Sequence, residues 1–430
     1  LKEEADGQVL DNLRDHNYLP RIAPHFLKWR AQYGEAFLFW YGAKPRICIF
    51  DYELARQILS SKSGHFLKND APPTLVALMG KGLVLLEGTD WVRHRRVINP
   101  AFNMDKLKMM ISTMTGCAQS LAKELEDVAA KNKDRVTEAQ HELTEITMAT
   151  LFQVQLPGLN YLPTERNRRK WRLQKNLRDT LMQIIRSRLS SKDGGYGNDL
   201  LGLMLGACAS DEQGEASSLS MDEIVDECKT FFLAGHETTS LLLTWTVFLL
   251  SVYPEWQERL RNEVLRECGT DQCPDANSLG KLKEMTMVLL ETLRLYNPAL
   301  FIQRKPTADI TVGSLAIPAG VAVYIPVPIM HRDREVWGHD AGEFNPLRFR
   351  DGAARAAAAA GIPHALLSFS IGPRSCIGQG FAMLEAKAAM AAMLRRLSFR
   401  VSPGYVHAPV DLITLKPKFG LPVIVRLPDA

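Results

Sequence analysis

Phe369 to Gly378 reads FSIGPRSCIG, and the residues that follow, Gln379 to Leu397, read QGFAMLEAKAAMAAMLRRL, a helical pattern. One cysteine, Cys376, therefore stands among glycines at the start of a helix. The N–H groups of a helix start lack intrahelical partners and carry the positive end of the helix dipole, which favours thiolate over thiol. Gly372 and Gly378 let the backbone curl close to whatever the sulfur binds. An inert buried cysteine, the commoner fate of a lone Cys, needs neither Arg374 two positions earlier nor the paired glycines. The decapeptide points to a sulfur that carries negative charge.

Outward from this loop the chain reads as mostly α with small β-sheets. Helical periodicity covers Ala118 to Lys131, Lys170 to Leu189, Met221 to Tyr253, Glu255 to Cys268 and Asn277 to Tyr296. Glu35 to Phe50 (EAFLFWYGAKPRICIF) holds two aromatic and β-branched runs around Gly42 and Pro45, which is a hairpin signal. Strand-like segments return at Ile310 to Val312, Val321 to Pro326, Asp411 to Lys416 and Leu421 to Leu427. Ser190 to Asp199 and Arg348 to Pro363 read as loops. No repeat appears and no linker is long enough to insist on separate domains, so the length allows two or three domains or one large domain over residues 1–430.

The chain has 52 Lys and Arg against 48 Asp and Glu, a formal net charge of +4, so there is no electrostatic case for nucleic acid. With 46% hydrophobic and 23% charged residues it is ordinary for a globular protein, which excludes disorder, collagen and coiled coil. The seven cysteines are scattered without disulfide-framework spacing and fit a reducing compartment. Leu1 to Gly7 (LKEEADG) is polar and reads as neither signal peptide nor anchor. The longest apolar stretch, Ser240 to Tyr253 (SLLLTWTVFLLSVY), falls short of the ~18 to 20 residues of a membrane span and is expected to be a core helix.

Several motifs fail on inspection. Gly195, Tyr196 and Gly197 begin like a dinucleotide fingerprint, but Leu200 stands where the third glycine belongs. His236 and Glu237 begin like a zinc-protease helix, yet Ser240 occupies the position of the second histidine. Cys268 and Cys273 have neither zinc spacing nor a second ligand pair nearby. There is no Cys-x-x-Cys-His, no Walker loop and no G-x-S-x-G elbow.

Three further constellations carry chemistry. Ala234 to Thr239 (AGHETT) puts polar residues in the middle of an apolar helix, where they are costly. Glu237 and Thr238 need a reason to be there, either backbone hydrogen bonding or proton delivery, and Gly235 leaves a gap in the helix surface. Glu291 and Arg294 (ETLR) lie one turn apart on a helix rich in Met, Val and Leu, so the pair is expected to be buried and mutually neutralised. Trp91 and Arg95 (WVRHR) fall at i and i+4 on one helix face.

With these elements in place, the sequence resembles the cytochrome P-450 family, whose signature F-x-x-G-x-R-x-C-x-G it matches at Phe369, Gly372, Arg374, Cys376 and Gly378. The resemblance implies the cytochrome P-450 fold, with haem b between the long central helix and the helix of the cysteine loop. It makes Cys376 the axial metal ligand, Arg374 a propionate partner and Phe369 a neighbour of the thiolate. It counts Ala234 with the cofactor-binding residues and gives Glu237 and Thr238 the catalytic, oxygen-side role. Trp91, Arg95 and Arg304 are further propionate partners, a surface arginine being the other reading of Arg304. Glu291, Arg294 and Arg348 (in FNPLRF) become a structural triad. Leu347 departs from the usual Glu of that stretch.

More narrowly, GKGLVLLEGTDWVRHRRVINPAF, LLTWTVFLLSVYPEWQERLRNEVLRECG and the tail HAPVDLITLKPKFGLPV are similar to the plant microsomal clan with cytokinin, brassinosteroid and gibberellin oxidases and fatty-acid hydroxylases. The resemblance implies a monooxygenase that hydroxylates a small hydrophobic molecule, a fatty acid, cytokinin or terpenoid, with O2. NADPH acts only through a partner reductase, because the chain has no flavin or nicotinamide fingerprint. A monomer at the cytosolic face of the endoplasmic reticulum membrane, held by an anchor not in this chain, is expected. Arg93, Arg96 and Lys387 are docking candidates against scattered surface charge; Arg166, Arg168, Arg169, Lys170 and Arg172 could touch membrane phosphates or form a solvated face. Phe231, Leu300, Phe301 and Leu412 suggest an apolar pocket. The span from Trp91 to Thr238 is shorter than this clan implies, with the shortening placed near 148–160. A haem-thiolate isomerase or dehydratase, and a haem protein that binds a ligand without turnover, are the rival readings.

Overall fold

The computed structural model describes residues 12–61, 64–68, 71–131, 164–190, 196–197, 199–209, 219–269, 274–357 and 361–427. The expected shortening near 148–160, the polar start Leu1 to Gly7, Cys273 and the side chain of Cys208 lie outside them. The chain groups into two compact units, one of Leu1–Asn69, Ile111–His141 and Thr238–Ala430, the other of Asp70–Met110 and Glu142–Glu237.

In the first unit the predicted hairpin forms. β1 (Ala36–Tyr41) runs antiparallel to β2 (Lys44–Ile49), with Gly42 turning the chain at φ 60°. Phe37 and Phe39 point into the core while Leu38 and Trp40 face out, the two-residue period of a half-buried strand. β3 (Phe66–Leu67), β4 (Phe301–Pro306), β5 (Ile310–Val312), β6 (Leu315–Ile317) and β7 (Ala322–Pro326) follow in sequence. The main sheet has the order β1-β2-β7-β4-β3, with β2 and β7 parallel. β5 pairs with β6 in a separate hairpin. β8 (Ser398–Val401) pairs with β11 (Val423–Arg426), and β9 (Pro409–Leu412) with β10 (Thr414–Pro417).

Two expected elements are divided. Asp411 to Lys416 is not one strand but parts of β9 and β10, because the chain reverses at Ile413, whose φ is +72°. A β-branched residue in the left-handed region is uncommon, and no Gly or Asn announces this turn. Asn277 to Tyr296 is two helices, Ala276–Lys281 and Lys283–Leu295. The break at Leu282 is held by the Glu263 carboxylate, which accepts from the N–H groups of Glu284 (2.7 Å) and Met285 (2.9 Å) and so caps the second helix.

The apolar stretch from Ser240 forms the last turns of helix Met221–Val252, with Leu241, Leu242, Trp245, Phe248, Leu249 and Leu250 buried as expected. Trp245 stacks on Tyr296 at 4.4 Å and donates from Nε1 to the Leu415 carbonyl, tying the helix to β10. Among the described residues no helix is long and apolar enough to cross a membrane.

The second unit is helical. Ile185, Leu205, Leu219, Ile224 and Val225 form its core. The loop after helix Pro73–Met79 lies against helix Met221–Val252: Thr230 Oγ1 donates to the Met79 carbonyl (2.8 Å) and Lys81 N to Asp226 Oδ2 (3.0 Å). A Cβ on Gly82 would lie 2.3 Å from Thr230 Oγ1, so only glycine fits there. On helix Glu165–Leu189, Arg168, Arg169 and Arg172 are exposed, and the side chains of Arg166 and Lys170 lie outside the described residues.

Candidate active site

The cysteine loop lies in the first unit. Cys376 is exposed and forms no disulfide. It sits not on the first turn of helix Gln379–Arg396 but two residues before that helix's N-cap, Gly378. Its N–H donates to the Phe369 carbonyl (2.8 Å), and Ser375 N–H donates to the Gly372 carbonyl (3.0 Å), so two turns hold the loop. Gly372 has φ +76°, and a Cβ there would lie 2.2 Å from the Leu59 carbonyl oxygen; glycine is required twice over. Ser370 is also left-handed, at φ +56°, and its buried hydroxyl has no hydrogen-bond partner. Non-glycine residues in this region and orphaned hydroxyls mark strained, functional backbone. Phe369 and Arg374 are half-buried.

Beside this loop stands a buried ionic cluster that begins at Glu291 and Arg294, both 0% exposed. Arg294 binds Glu291 with two hydrogen bonds of 2.7 Å, through Nε and Nη2. Its remaining donors reach the carbonyls of His331 (2.7 Å), Ala341 (2.6 Å) and Glu343 (3.0 Å). Glu291 Oε1 also accepts from Asn345 N–H (2.9 Å). Arg348 joins the triad only at arm's length, 3.8 Å from Glu291, and its closer partners are Asp340 (2.8 Å) and the Trp337 carbonyl. Asp340, Asn345 and His331 gave no sequence signal, because their spacing to the triad follows no helical or strand period.

Arg304 lies on β4 and is 5% exposed, which sets aside the surface reading. Leu300 is buried, and Phe301 and Leu412 are half-buried. Thr238, half-buried on helix Met221–Val252, belongs to this unit. Lys387 donates to the Leu279 carbonyl (3.1 Å), and burial pushes its pKa down, so it is not an open docking charge.

The second unit carries Trp91 and Arg95, both half-buried on helix Gly88–Ile98, together with half-buried Phe231, Ala234 and Glu237. Arg93, expected as a docking charge, is paired with Glu223; Arg96 is exposed. His94, inside WVRHR but given no role by sequence, is fully buried between Glu227 (2.6 Å) and Glu223 (3.2 Å). Burial opposes its charge, but the two carboxylates win and raise its pKa. A Cβ on Gly235 would meet nothing within 4 Å, so the gap expected in this helix surface is present.

A family model described as Cytochrome P450 matches residues 20–158 and 154–419. The chain is 43% identical to Cytochrome P450 709B1 of Arabidopsis thaliana and 44% identical to Cytochrome P450 709B3 of the same plant, in each case over 99% of this chain and 88% of the relative. Cytochrome P450 734A6 of Oryza sativa subsp. japonica is 39% identical over 96% of this chain and 83% of its own length. The chain belongs to the cytochrome P450 family. Members of this family are haem-dependent monooxygenases, and their electrons come from a partner reductase. The alignment with P450 709B1 runs over 462 positions, more than the 430 residues of this chain, so gaps open in it against that P450.

The residues present fit the haem of a P450. The exposed sulfur of Cys376 would suit a metal held by a prosthetic group rather than by a cluster of side chains. The close packing of Gly372 on the Leu59 carbonyl, the strained turn at Ser370 and the buried guanidinium of Arg304 supply a shaped loop and positive charge in the same unit.

Proposed function

We propose that this P450 hydroxylates a small hydrophobic molecule, a fatty acid or a plant-hormone-like compound such as a cytokinin or terpenoid, with haem b held by Cys376. The observation that carries the proposal is the strained turn that presents the Cys376 sulfur just ahead of a glycine-capped helix. Bound through a thiolate, haem supplies dioxygen activation with electron density pushed toward O–O cleavage. The chain's own residues do the rest. Arg374, Arg304, Trp91 and Arg95 offer donors to the propionates. Phe369 packs beside the sulfur, and Ala234 and Gly235 keep the helix surface low on the oxygen side. Glu237 and Thr238, adjacent on one helix, hold and pass the protons that reduction of oxygen to water consumes. A peroxide rearrangement needs no such relay, so the pair favours the monooxygenase over the isomerase. Glu291, Arg294 and Arg348 hold the core behind the loop.

The apolar character of Phe231, Leu300, Phe301 and Leu412 supports a hydrophobic substrate. NADPH-cytochrome P-450 reductase is the proposed electron donor, with exposed Arg96 on the docking face. The protein works as a single catalytic domain and a monomer, at the cytosolic face of the endoplasmic reticulum.

The test is spectroscopic. Haemin-reconstituted protein, reduced and exposed to carbon monoxide, is expected to show the red-shifted band of sulfur ligation, and Cys376→Ser to lose it. An unshifted band in the unsubstituted chain defeats the proposal. Spin-state titration with fatty acids, cytokinins and terpenoids, followed by reductase-dependent NADPH consumption, then identifies the substrate.

A further inference from the structure

His331 is 0% exposed and lies between the Glu291–Arg294 helix and the strand of chain that enters the cysteine loop. Its ring packs edge-on against Trp337, 6.0 Å between centroids, and its two nitrogens meet backbone groups. Nδ1 is 3.1 Å from the Arg294 carbonyl oxygen, and Nε2 is 2.9 Å from the Leu367 amide nitrogen. A carbonyl only accepts and an amide N–H only donates, so the partners themselves fix the ring as the neutral Nδ1–H tautomer. Its own carbonyl is gripped in turn by Arg294 Nη1 at 2.7 Å. A proton on Nε2 would face the Leu367 N–H. Burial, and then the Arg294 charge, hold the ring's pKa down to about 3.

Leu367 is where the loop begins. Its carbonyl accepts from Ser370 N–H at 2.9 Å, setting the left-handed turn, and the next residue, Ser368, donates to the Leu293 carbonyl at 3.2 Å. Phe369, two residues on, accepts from Cys376 N–H. Hydrogen bonds thus run from Glu291 through Arg294 and His331 to Leu367, and the backbone from Leu367 to Ser370 carries the path on to the Phe369–Cys376 bond. Every ring donor and acceptor in it is used once.

We propose that His331 is a positioning residue for the Cys376 sulfur, a side chain that, beside the Ser368–Leu293 bond, transmits the placement of the Glu291–Arg294 pair to the base of the cysteine loop. This rests on Cys376 being the haem ligand. What matters is one donor and one acceptor back to back, so a glutamine amide can stand in and an apolar ring of the same size cannot. Groups bonded directly to a metal ligand typically change affinity or activity by roughly 10–100-fold, and His331, which acts through the intervening backbone, belongs at the lower end of that range.

The test compares His331→Gln, His331→Phe and the unsubstituted chain after haem reconstitution. The ferrous carbonyl spectrum reads the ratio of thiolate-ligated to thiol-ligated protein, and thermal unfolding checks the fold. His331→Phe is expected to shift that ratio toward thiol by about tenfold, and His331→Gln to restore most of it. Equal ratios in all three folded proteins, or equal loss in both variants, overturn the proposal. If the unsubstituted chain itself lacks the sulfur band, the ligand assignment falls instead. Should His331→Phe not fold, nitrogen-15 spectra of histidine-labelled unsubstituted protein decide: an Nδ1–H neutral ring at position 331 supports the bridge, and an Nε2–H or charged ring at neutral pH removes it.

Discussion

At Glu291 the chain commits a carboxylate to a fully buried position, and the geometry leaves it little freedom. Both oxygens are occupied, one by Arg294 Nη2 and the Asn345 amide, the other by Arg294 Nε. Glu291→Gln keeps the shape and removes the charge, leaving Arg294 buried beside a neutral amide. Breaking one partner of such a pair costs roughly 3–5 kcal/mol. The urea midpoint is therefore expected to fall sharply at unchanged slope; a midpoint within error of the parent would show that the cluster carries little of the stability. At this scale the sequence told much. The apolar company of ETLR implied burial, and FSIGPRSCIG implied a backbone that curls close to whatever the sulfur binds; the close approach that Gly372 makes in the fold is to the Leu59 carbonyl. Asp340, Asn345 and His331 were illegible, because what they do depends on backbone groups brought together by the fold.

Helices end where something satisfies their last or first polar groups, and here that something is often remote. Arg261 donates to the Leu394 and Leu397 carbonyls, closing the C-terminus of helix Gln379–Arg396 from a neighbouring helix. Glu263 does the converse for helix Lys283–Leu295, which has no side-chain cap of its own. Glu263→Ala would strand two amides and is expected to cost about 1–3 kcal/mol, read as a lower urea midpoint, with Glu263→Gln recovering part of it. Such long-range caps also explain why Asn277 to Tyr296 read as one helix. Its periodicity runs through Leu282, and the carboxylate that splits it belongs to another segment. The hairpin at Glu35 to Phe50 was legible because its glycine, its alternation and its partner strand are all local. The β9–β10 turn was not, because Ile413 takes a conformation its residue type disfavours.

Across the molecule, histidines set the response to acid. His16 and His331 are depressed to about 3 and His407 to about 4, each chiefly by burial. In the unfolded chain each takes a proton near pH 6.5. Their contribution to stability is therefore complete above that value and is lost as the pH falls toward 4, by about 1.4 kcal/mol per pH unit for each. His94, raised by Glu227 and Glu223, works the other way: its contribution is present below 6.5 and fades as the pH climbs through its raised folded value. With His25 also lowered by burial, four against one predicts a urea midpoint that drops steeply between pH 6.5 and 5; a flat profile there would contradict the buried neutral rings. Composition could not foretell this, since ten histidines in a sequence carry no sign of which are dry.

The guanidinium of Arg294 organises more than one ion pair. The three backbone carbonyls it holds, at 331, 341 and 343, belong to a segment of turns around the short helix Arg334–Trp337. The route of that segment is written in one codon. In a mutagenised population, missense changes there, Lys included because an ammonium cannot span the fork, should behave genetically as complete loss of the gene product, while substitutions at the substrate-contacting positions should alter only what is metabolised.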